Sequence, residues 1–549
     1  MVRERLKKIF PSWQNALLAL LAAGLLILAF PDVGRWWIAW FALVPLMLAV
    51  ERQKHCVSAC FLLGWLFGTL FFFGTCWWLT YAPIHYAAMP WPLAYLLICI
   101  VCLISGIFPG IFSLILAVLL RRFGAWAFFT APFVWVFTEF ARYWLTGNNW
   151  NAIAYSQAFV ELWMNPGRWT ATIGGVLLAS GVIVLANAVI VRTFVVLKST
   201  GMTGRALMLC FGEGIILFVL SIVASVVHVD SRQPPYDKEP VEMPWQKLVV
   251  IQPNVPMSGL DRTKWTQLRQ KQIEMAETAL KDIRTQKKEQ TTTVVLPESP
   301  MNFAYGDDPE FRKYIGDFAA RNNVSVLFNS SQPDKTNGRY FNSAVMVGPD
   351  GRLTAQYDKI YLLPFGEAVP APLENIVPAF VGHFSYGSKY DLMPLGDAKV
   401  GVMICFESHF GELGRRYVQN GADAIIEMTN DGYLGPTPVL RQHLANAIFR
   451  AIETDRPVVR VTNVGITEFI SSDGDICDSL ITCGPPPYTE DTRVWAVSKS
   501  DGSQTFYVRY GDWFAWVCTI VTILLVAMSF KRKRDDVLPL ASANGMQST

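Results

Sequence analysis

Apolar residues are gathered in this chain rather than spread along it, and that gathering limits what it can fold into. Eight stretches, roughly 14–30, 36–50, 57–80, 93–120, 125–144, 170–192, 206–228 and 513–530, have or approach the make-up of a membrane span. A bilayer core takes about 20 mostly apolar residues per helix. Only 17% of the residues are charged, few for a soluble chain of this length, and 231–510 alone reads as an ordinary soluble domain. The chain therefore divides into a membrane domain of seven helices over 1–230, an external domain over 231–510, an eighth helix over 511–530 and a basic tail over 531–549. The first two stretches flank Pro31 and Asp32 and read as a short hairpin. Pro109 and Gly110 predict a kink or tilt in the long stretch at 93–120. No small-residue cleavage site follows the first stretch, so it reads as a retained helix and not as a signal peptide.

Basic residues in short loops mark the cytoplasmic side. They alternate along this chain: Arg3, Arg5, Lys7 and Lys8 at the start, then Arg52 and Lys54, Arg121 and Arg122, Lys198 and Arg205, and finally Lys531 to Arg534. The intervening loops carry Arg35, nothing over 81–92, and Arg142 and Arg168. This pattern predicts both termini in the cytoplasm and the 231–510 domain outside. A net charge of +3 is too small to point to nucleic acid. The ten cysteines show no zinc or disulfide spacing pattern. Most sit in or beside apolar stretches, where they read as small core residues. Cys477 and Cys483 in the external domain are either a pair, if the compartment is oxidising, or two free thiols.

Within 247–505, short Val- and Ile-rich runs alternate with helical ones. Strands are expected at Lys247–Ile251, Thr293–Leu296, Ser325–Asn329, Ser343–Val347, Val400–Ile404, Ala424–Met428, Val458–Thr462 and Ile466–Ile470. Helices are expected at Thr263–Gln286, Pro309–Asn322, Phe410–Asn420 and Val439–Asp455. The alternation predicts an α/β layered domain, and an antiparallel-looking pair around Gly465 and Gly474 argues against a purely doubly wound sheet.

Three stretches place polar residues just after apolar strands, where α/β folds present reactive groups: Val294-Val295-Leu296-Pro297-Glu298, Tyr357-Asp358-Lys359 leading to Gly366-Glu367, and Val402-Met403-Ile404-Cys405-Phe406-Glu407. Singly, each has an ordinary reading. A cysteine at a strand end is usually packing, a Glu after Pro a solvated turn, a Lys beside Asp a surface pair. Together they carry chemistry. A thiol nucleophile needs a base to take its proton and a cation to meet the oxyanion it creates, and Glu, Lys and Cys supply those three roles.

The order Glu, Lys, Cys, with the strings LPES, YDKIYLLPFGE and GVMICFES, resembles the nitrilase superfamily. With seven spans before it and one after, it resembles the bacterial apolipoprotein N-acyltransferase family over nearly the whole chain. Further matching pieces are Leu28 to Pro31, Thr138-Glu139, Trp150 with Tyr155-Ser156-Gln157, Ile251 to Asn254, Thr429-Asn430-Asp431 and Arg456-Pro457. The resemblance implies a polytopic α-helical membrane domain carrying an external nitrilase-type αββα sandwich. It implies Cys405 as nucleophile, Glu298 as general base and Lys359 as oxyanion partner, with Glu367 and Glu407 in support and Trp265, Trp150 and Phe406 lining the substrate site. The implied reaction moves an acyl chain from a phospholipid, through a Cys405 thioester, to the N-terminal S-diacylglyceryl cysteine of a lipoprotein. It needs no metal and no cofactor, in a monomer of the bacterial inner membrane with its catalytic domain in the periplasm. Phe406 stands where the family often has Tyr, Tyr433-Leu434 where Trp-Phe is common, and Asn149 where Pro is usual.

Two other readings compete. A membrane-tethered nitrilase-type amidase would use the same triad, but one helix would suffice as a tether. A transporter or channel would find support in Glu139, Arg142 and Glu213, since ionisable groups within spans are costly, yet it leaves the triad unexplained. Glu139 and Arg142 are spaced to pair along a helix. His443 reads as a core or capping residue, because Glu298 already fills the role of base, and His409 has no assigned role at this level.

Overall fold

The computed structural model describes residues 9–147, 149–160, 168, 170–200, 246–284, 291–298, 304–369, 383–476 and 483–530. The expected span at 206–228, the basic N-terminal residues and tail, and Arg205, Cys210, Glu213 and Cys477 lie outside them.

Six of the eight apolar stretches form helices close to where the sequence places them: Trp13–Ala29, Val57–Cys76, Trp91–Phe123, Ala131–Thr146, Ala171–Thr200 and Trp513–Phe530. Among the described residues, four helical segments are by length and composition apolar enough to cross a membrane, Val57–His85, Trp91–Thr146, Ala171–Ser199 and Trp513–Phe530. The second of these contains both Trp91–Phe123 and Ala131–Thr146. The 36–50 stretch is a broken leg, a 3-10 turn at Trp36–Trp40 followed by a ten-residue helix at Val44–Gln53 that Pro45 helps to start. It returns along the first helix, because Gln53 Oε1 accepts the side-chain amide of Asn15 at 3.0 Å, beside that helix's beginning. Helices Val57–Cys76 and Trp91–Phe123 approach closely because Gly64 and Gly68 face Pro109, where an added Cβ would collide.

The second unit is built on two sheets. In the first, the strand order is β12-β1-β2-β3-β4-β5, with β6 beside β4. These strands are β1 Gln246–Gln252, β2 Thr292–Val295, β3 Ser325–Pro333, β4 Tyr340–Val347, β5 Leu353–Asp358, β6 Phe384–Ser385 and β12 Asp491–Val497. In the second, the order is β11-β10-β9-β8-β7, from β7 Leu392–Leu395, β8 Ala398–Ile404, β9 Ala424–Thr429, β10 Val458–Thr462 and β11 Glu468–Ile470. Both sheets are mixed: β1, β2 and β3 run parallel, as do β8, β9 and β10 and the short β4–β6 pair, while the other pairs are antiparallel. Alternation along the strands sorts the side chains. Val249, Ile251, Val294, Val326, Phe328, Val345 and Val347 pack with residues of helices Arg262–Arg284 and Pro309–Asn322. Leu248, Val250, Val295, Leu327, Ala344 and Met346 belong to the same core as Val400, Val402, Ile404, Ile425 and Val459 of the other sheet. Helices Gly411–Gln419 and Val439–Thr454 add Leu413, Tyr417, Leu444 and Ile448 to that core.

The helices hold the sheet unit at one end. Gln442 directs its whole amide at them: Oε1 accepts the indole N–H groups of Trp78 and Trp150 at 3.1 and 3.0 Å, and Nε2 donates to the carbonyls of Pro31 and Thr75. Glu453 accepts the Val176 N–H at 2.8 Å beside the helix irregularity at Gly174 and Gly175. Glu139 and Arg142 do not pair along their helix as its spacing suggested. Glu139 accepts the Ile153 N–H at 3.0 Å, and Arg142 donates to the Trp150 carbonyl at 2.9 Å and to Asn149 Oδ1 at 3.3 Å. Both groups brace the loop that carries Trp150.

Candidate active site

Each expected triad member stands at the end of a strand. Glu298 follows β2, Lys359 follows β5 and Cys405 follows β8. Strand β8 is flanked by β7 and β9, so its end is fixed from both sides. Cys405 is a free thiol with φ of +53°. That left-handed conformation is costly for a residue with a Cβ and persists only where its surroundings impose it. Here it ends the strand abruptly and opens the 3-10 turn Cys405–His409, which turns the thiol toward Glu298 and Lys359.

Lys359 is almost wholly buried, and its ammonium is clamped by Glu367, 2.9 Å from Oε1 and 2.8 Å from Oε2, with Glu298 Oε1 at 3.9 Å. Asn342 ties the two carboxylates together, donating to Glu367 Oε1 at 2.7 Å and reaching Glu298 Oε1 at 3.2 Å. Asn342 is itself held by Asn329 at 2.6 Å. Glu367 also accepts the Leu363 N–H at 2.8 Å. Burial alone would lower the Lys359 ammonium, but the Glu367 and Glu298 carboxylates outweigh it and hold the group above its usual range, permanently charged. Burial raises the Glu298 carboxyl, Lys359 pulls it back and Glu367 raises it again. Burial and the Glu298 charge push the Cys405 thiol well above its ordinary value, against the pull of Lys359. Cys405 is therefore a neutral thiol beside a carboxylate of raised basicity, an arrangement in which a proton can pass from sulfur to oxygen.

Glu407 plays a different part from Glu367. Its side chain is sealed and accepts the Tyr357 hydroxyl, the Ile360 N–H and the Tyr361 N–H on Oε1, at 2.7, 2.7 and 3.1 Å, and the Ile404 N–H on Oε2 at 2.9 Å. One carboxylate thus joins the end of β8 to the segment around Lys359. Burial raises its pKa to about 7, against the lowering pull of Lys359 and these donors.

The sites expected to line a substrate are more scattered. Trp265 lies on helix Arg262–Arg284, with the Arg269 guanidinium 5.8 Å from its ring centroid. Trp150 packs against Trp78, His409 and His443 at centroid distances of 5.5, 5.4 and 5.9 Å. The Phe406 ring stacks on His409 at 5.4 Å and meets Phe410 edge-on. His409 thereby gains a role the sequence did not suggest. It is stacked against both Phe406 and Trp150, and its Nε2 accepts the Asn149 N–H at 2.8 Å. Burial holds it well below the usual histidine range, so it is neutral and able to accept. A proline at 149 would have no N–H to offer; the asparagine here supplies one.

Behind Cys405 lies a second charged group, which sequence reasoning missed. Arg460 on β10 pairs with Glu427 on β9 at 2.5 Å and with Asp431 at 2.7 Å. His443, on helix Val439–Thr454, reaches Asp431 through Nδ1 at 2.7 Å, and through Nε2 it reaches Glu427 at 3.2 Å and the Cys405 carbonyl at 3.1 Å. The available signal was a charged residue inside each of two apolar strands, Glu427 in AIIEMT and Arg460 in VVRVT, which demands a partner. The two are direct register partners. Among the described residues, no group of three or more His, Cys, Asp or Glu is placed to hold a metal.

A strand-end cysteine beside a Glu and a clamped Lys, on two mixed sheets flanked by helices, defines a carbon-nitrogen hydrolase domain, and the carbon-nitrogen hydrolase profile matches residues 265–501. The profile of the apolipoprotein N-acyltransferase N-terminal domain matches residues 22–189. An apolipoprotein N-acyltransferase of Geobacter metallireducens is 30% identical over 95% of this chain and 96% of its own length. One of Pasteurella multocida is 25% identical over 98% of this chain and 99% of its own. Among solved structures, a carbon-nitrogen hydrolase from Helicobacter pylori aligns at 17% identity and a TM-score of 0.35, covering 50% of this chain and 95% of that one. The chain belongs to the apolipoprotein N-acyltransferase family.

Proposed function

We propose that this enzyme transfers an acyl chain from a phospholipid to the N-terminal S-diacylglyceryl cysteine of a lipoprotein, in two steps through a thioester on Cys405. The observation that carries the reading is the left-handed Cys405 turned toward a basic Glu298 and a Lys359 that Glu367 keeps charged. In the first step Glu298 takes the Sγ proton as sulfur attacks the ester carbonyl carbon. The Lys359 ammonium, with the Phe406 N–H, meets the charge on the carbonyl oxygen. Collapse breaks the ester C–O bond, the proton returns from Glu298 to the departing oxygen, and lysophospholipid leaves. In the second step the α-amine of the acceptor attacks the thioester and gives up a proton to Glu298. Collapse releases the Cys405 sulfur, which recovers that proton. An amine attacks a thioester readily, and the amide formed is the more stable product.

The layering supports an αββα sandwich, with Trp265, Trp150 and Phe406 near the lipid and peptide chains. The ends of the helices remote from the sheet unit carry Arg52, Lys54, Arg121, Arg122 and Lys198, while Arg142 and Arg168 at the near end are taken up in buried contacts. By the positive-inside rule this supports a cytoplasmic remote face and a periplasmic catalytic domain in the inner membrane. Cys483 is disulfide-bonded, with a partner outside the described residues, which fits an oxidising compartment. The enzyme is read as a monomer.

The test is a two-stage incubation. Phospholipid alone should yield lysophospholipid in amounts equal to the enzyme, and adding a diacylglyceryl peptide should then discharge the acyl group onto its amine. Continuous fatty-acid release with no transfer to the peptide would instead support a membrane-tethered hydrolase of the nitrilase type.

A further inference from the structure

We infer that His443 is a positioning residue that, by hydrogen-bonding the Cys405 carbonyl, sharpens the Phe406 N–H as a donor to the oxyanion. The inference rests on Cys405 being the nucleophile. Carbonyl and N–H belong to one peptide unit, Cys405 C=O to Phe406 N–H. A cationic donor on that oxygen draws electron density through the amide and makes its N–H the stronger donor, as chained hydrogen bonds polarise one another. His443 is placed for this. Its Nε2 lies 3.1 Å from the Cys405 carbonyl oxygen, and its Nδ1 is fixed 2.7 Å from Asp431.

Every group facing the imidazole bears on its charge. Glu427 approaches from β9, Asp431 from the turn Asp431–Leu434, Arg460 from β10, and the Trp150 ring from the loop of the helical unit. Burial and Arg460 both disfavour a proton on His443, but Asp431 and Glu427 outweigh them and hold it at about 9. At neutral pH it is an imidazolium, and its Nε2–H is shared between the Cys405 carbonyl and Glu427. The preceding residue, Gln442, grips Trp78, Trp150, Pro31 and Thr75. The same helical turn therefore fixes the nucleophile's carbonyl and ties it to the membrane helices.

Two reactions of the same sulfur separate polarisation from simple placement. Acylation by phospholipid passes through an oxyanion, whereas alkylation by iodoacetamide does not. His443→Gln, which keeps the polarity and removes the charge, should slow lysophospholipid release about tenfold, less than the loss of a whole oxyanion donor, with KM and the rate of Cys405 alkylation unchanged. Wild-type enzyme gives the same test without a substitution: its acylation rate should fall as pH rises through about 9, while alkylation rises. Acylation and alkylation slowed alike in His443→Gln, or both unaffected, would overturn the inference, as would wild-type acylation that climbs with alkylation through pH 9. If wild-type enzyme gives no acyl adduct on Cys405, the nucleophile assignment itself fails.

Discussion

Two charged clusters flank Cys405, and they are built on opposite plans. On one side, two carboxylates, Glu298 and Glu367, share a single ammonium, that of Lys359. On the other, the carboxylates Glu427 and Asp431 face two cations, Arg460 and His443. In the first cluster burial pushes Glu298 up toward holding a proton, Lys359 pulls it back, and the unmatched Glu367 charge pushes it up again. The second is balanced. Burial penalises its Glu427, but Arg460 and His443 hold that carboxyl down at about 2, and His443 is held at about 9. An unbalanced cluster can move a proton; a balanced one is a fixed frame. On the proposed mechanism, the difference separates the groups that react from those that hold the reacting group in place.

Breaking the first cluster should abolish chemistry and spare the fold. Cys405→Ser replaces the thiol with a far less acidic hydroxyl, and Glu298→Gln removes the base; each should lower acylation by about 10⁴-fold, as losses within a cooperating catalytic set do. Folding should persist, since neither is a large core residue. Breaking the second cluster should do the reverse. Arg460→Leu leaves Glu427 and Asp431 sealed without their cation, and removing one partner of a buried pair costs about 3–5 kcal/mol of stability, measurable by thermal unfolding. Lys359→Ala should be milder for the fold, because Glu298, with a side chain 17% exposed, can take up a proton. It should slow both half-reactions about 100-fold, through about 3 kcal/mol of lost oxyanion stabilisation.

A further effect concerns pH. The folded state holds the His443 proton more tightly than the unfolded chain, whose histidine titrates near 6.5. That contribution to stability is complete below 6.5 and is lost as pH rises through about 9. A plot of Tm against pH should show this alkaline decline in wild type, and His443→Gln should flatten it. A decline of equal size in the variant would mean that other groups carry it.

The grouping of Glu298, Lys359, Glu367 and Cys405 was legible in the sequence and the balanced cluster was not. Glu298, Lys359, Glu367 and Cys405 stand just past strands, where a polar residue breaks an apolar run, and their order matches a known family. Glu427, His443 and Arg460 lie within β9, a helix and β10, so each looks like an isolated polar residue on a core-facing element. Only the parallel pairing of β9 with β10 sets Glu427 beside Arg460, and that pairing is long-range. His443 is indeed buried, as a core residue would be, but its partners arrive from distant strands. Strands such as Val458–Thr462, and helix Pro309–Asn322, fell where their patterns put them. Strands β5, β7 and β12 did not announce themselves, because β5 and β12 are largely half-exposed and β7 is only four residues long. The 36–50 stretch reads as one span, although it is a broken leg, because hydropathy does not register a 3-10 turn.

The most direct test of the central claim is intact-protein mass spectrometry of the purified enzyme incubated with phospholipid alone. The account predicts a mass increase of one acyl chain, mapped by digestion to Cys405, lost on adding a diacylglyceryl peptide and absent in Glu298→Gln. Acyl transfer to the peptide by wild-type enzyme with Cys405 never modified would contradict it.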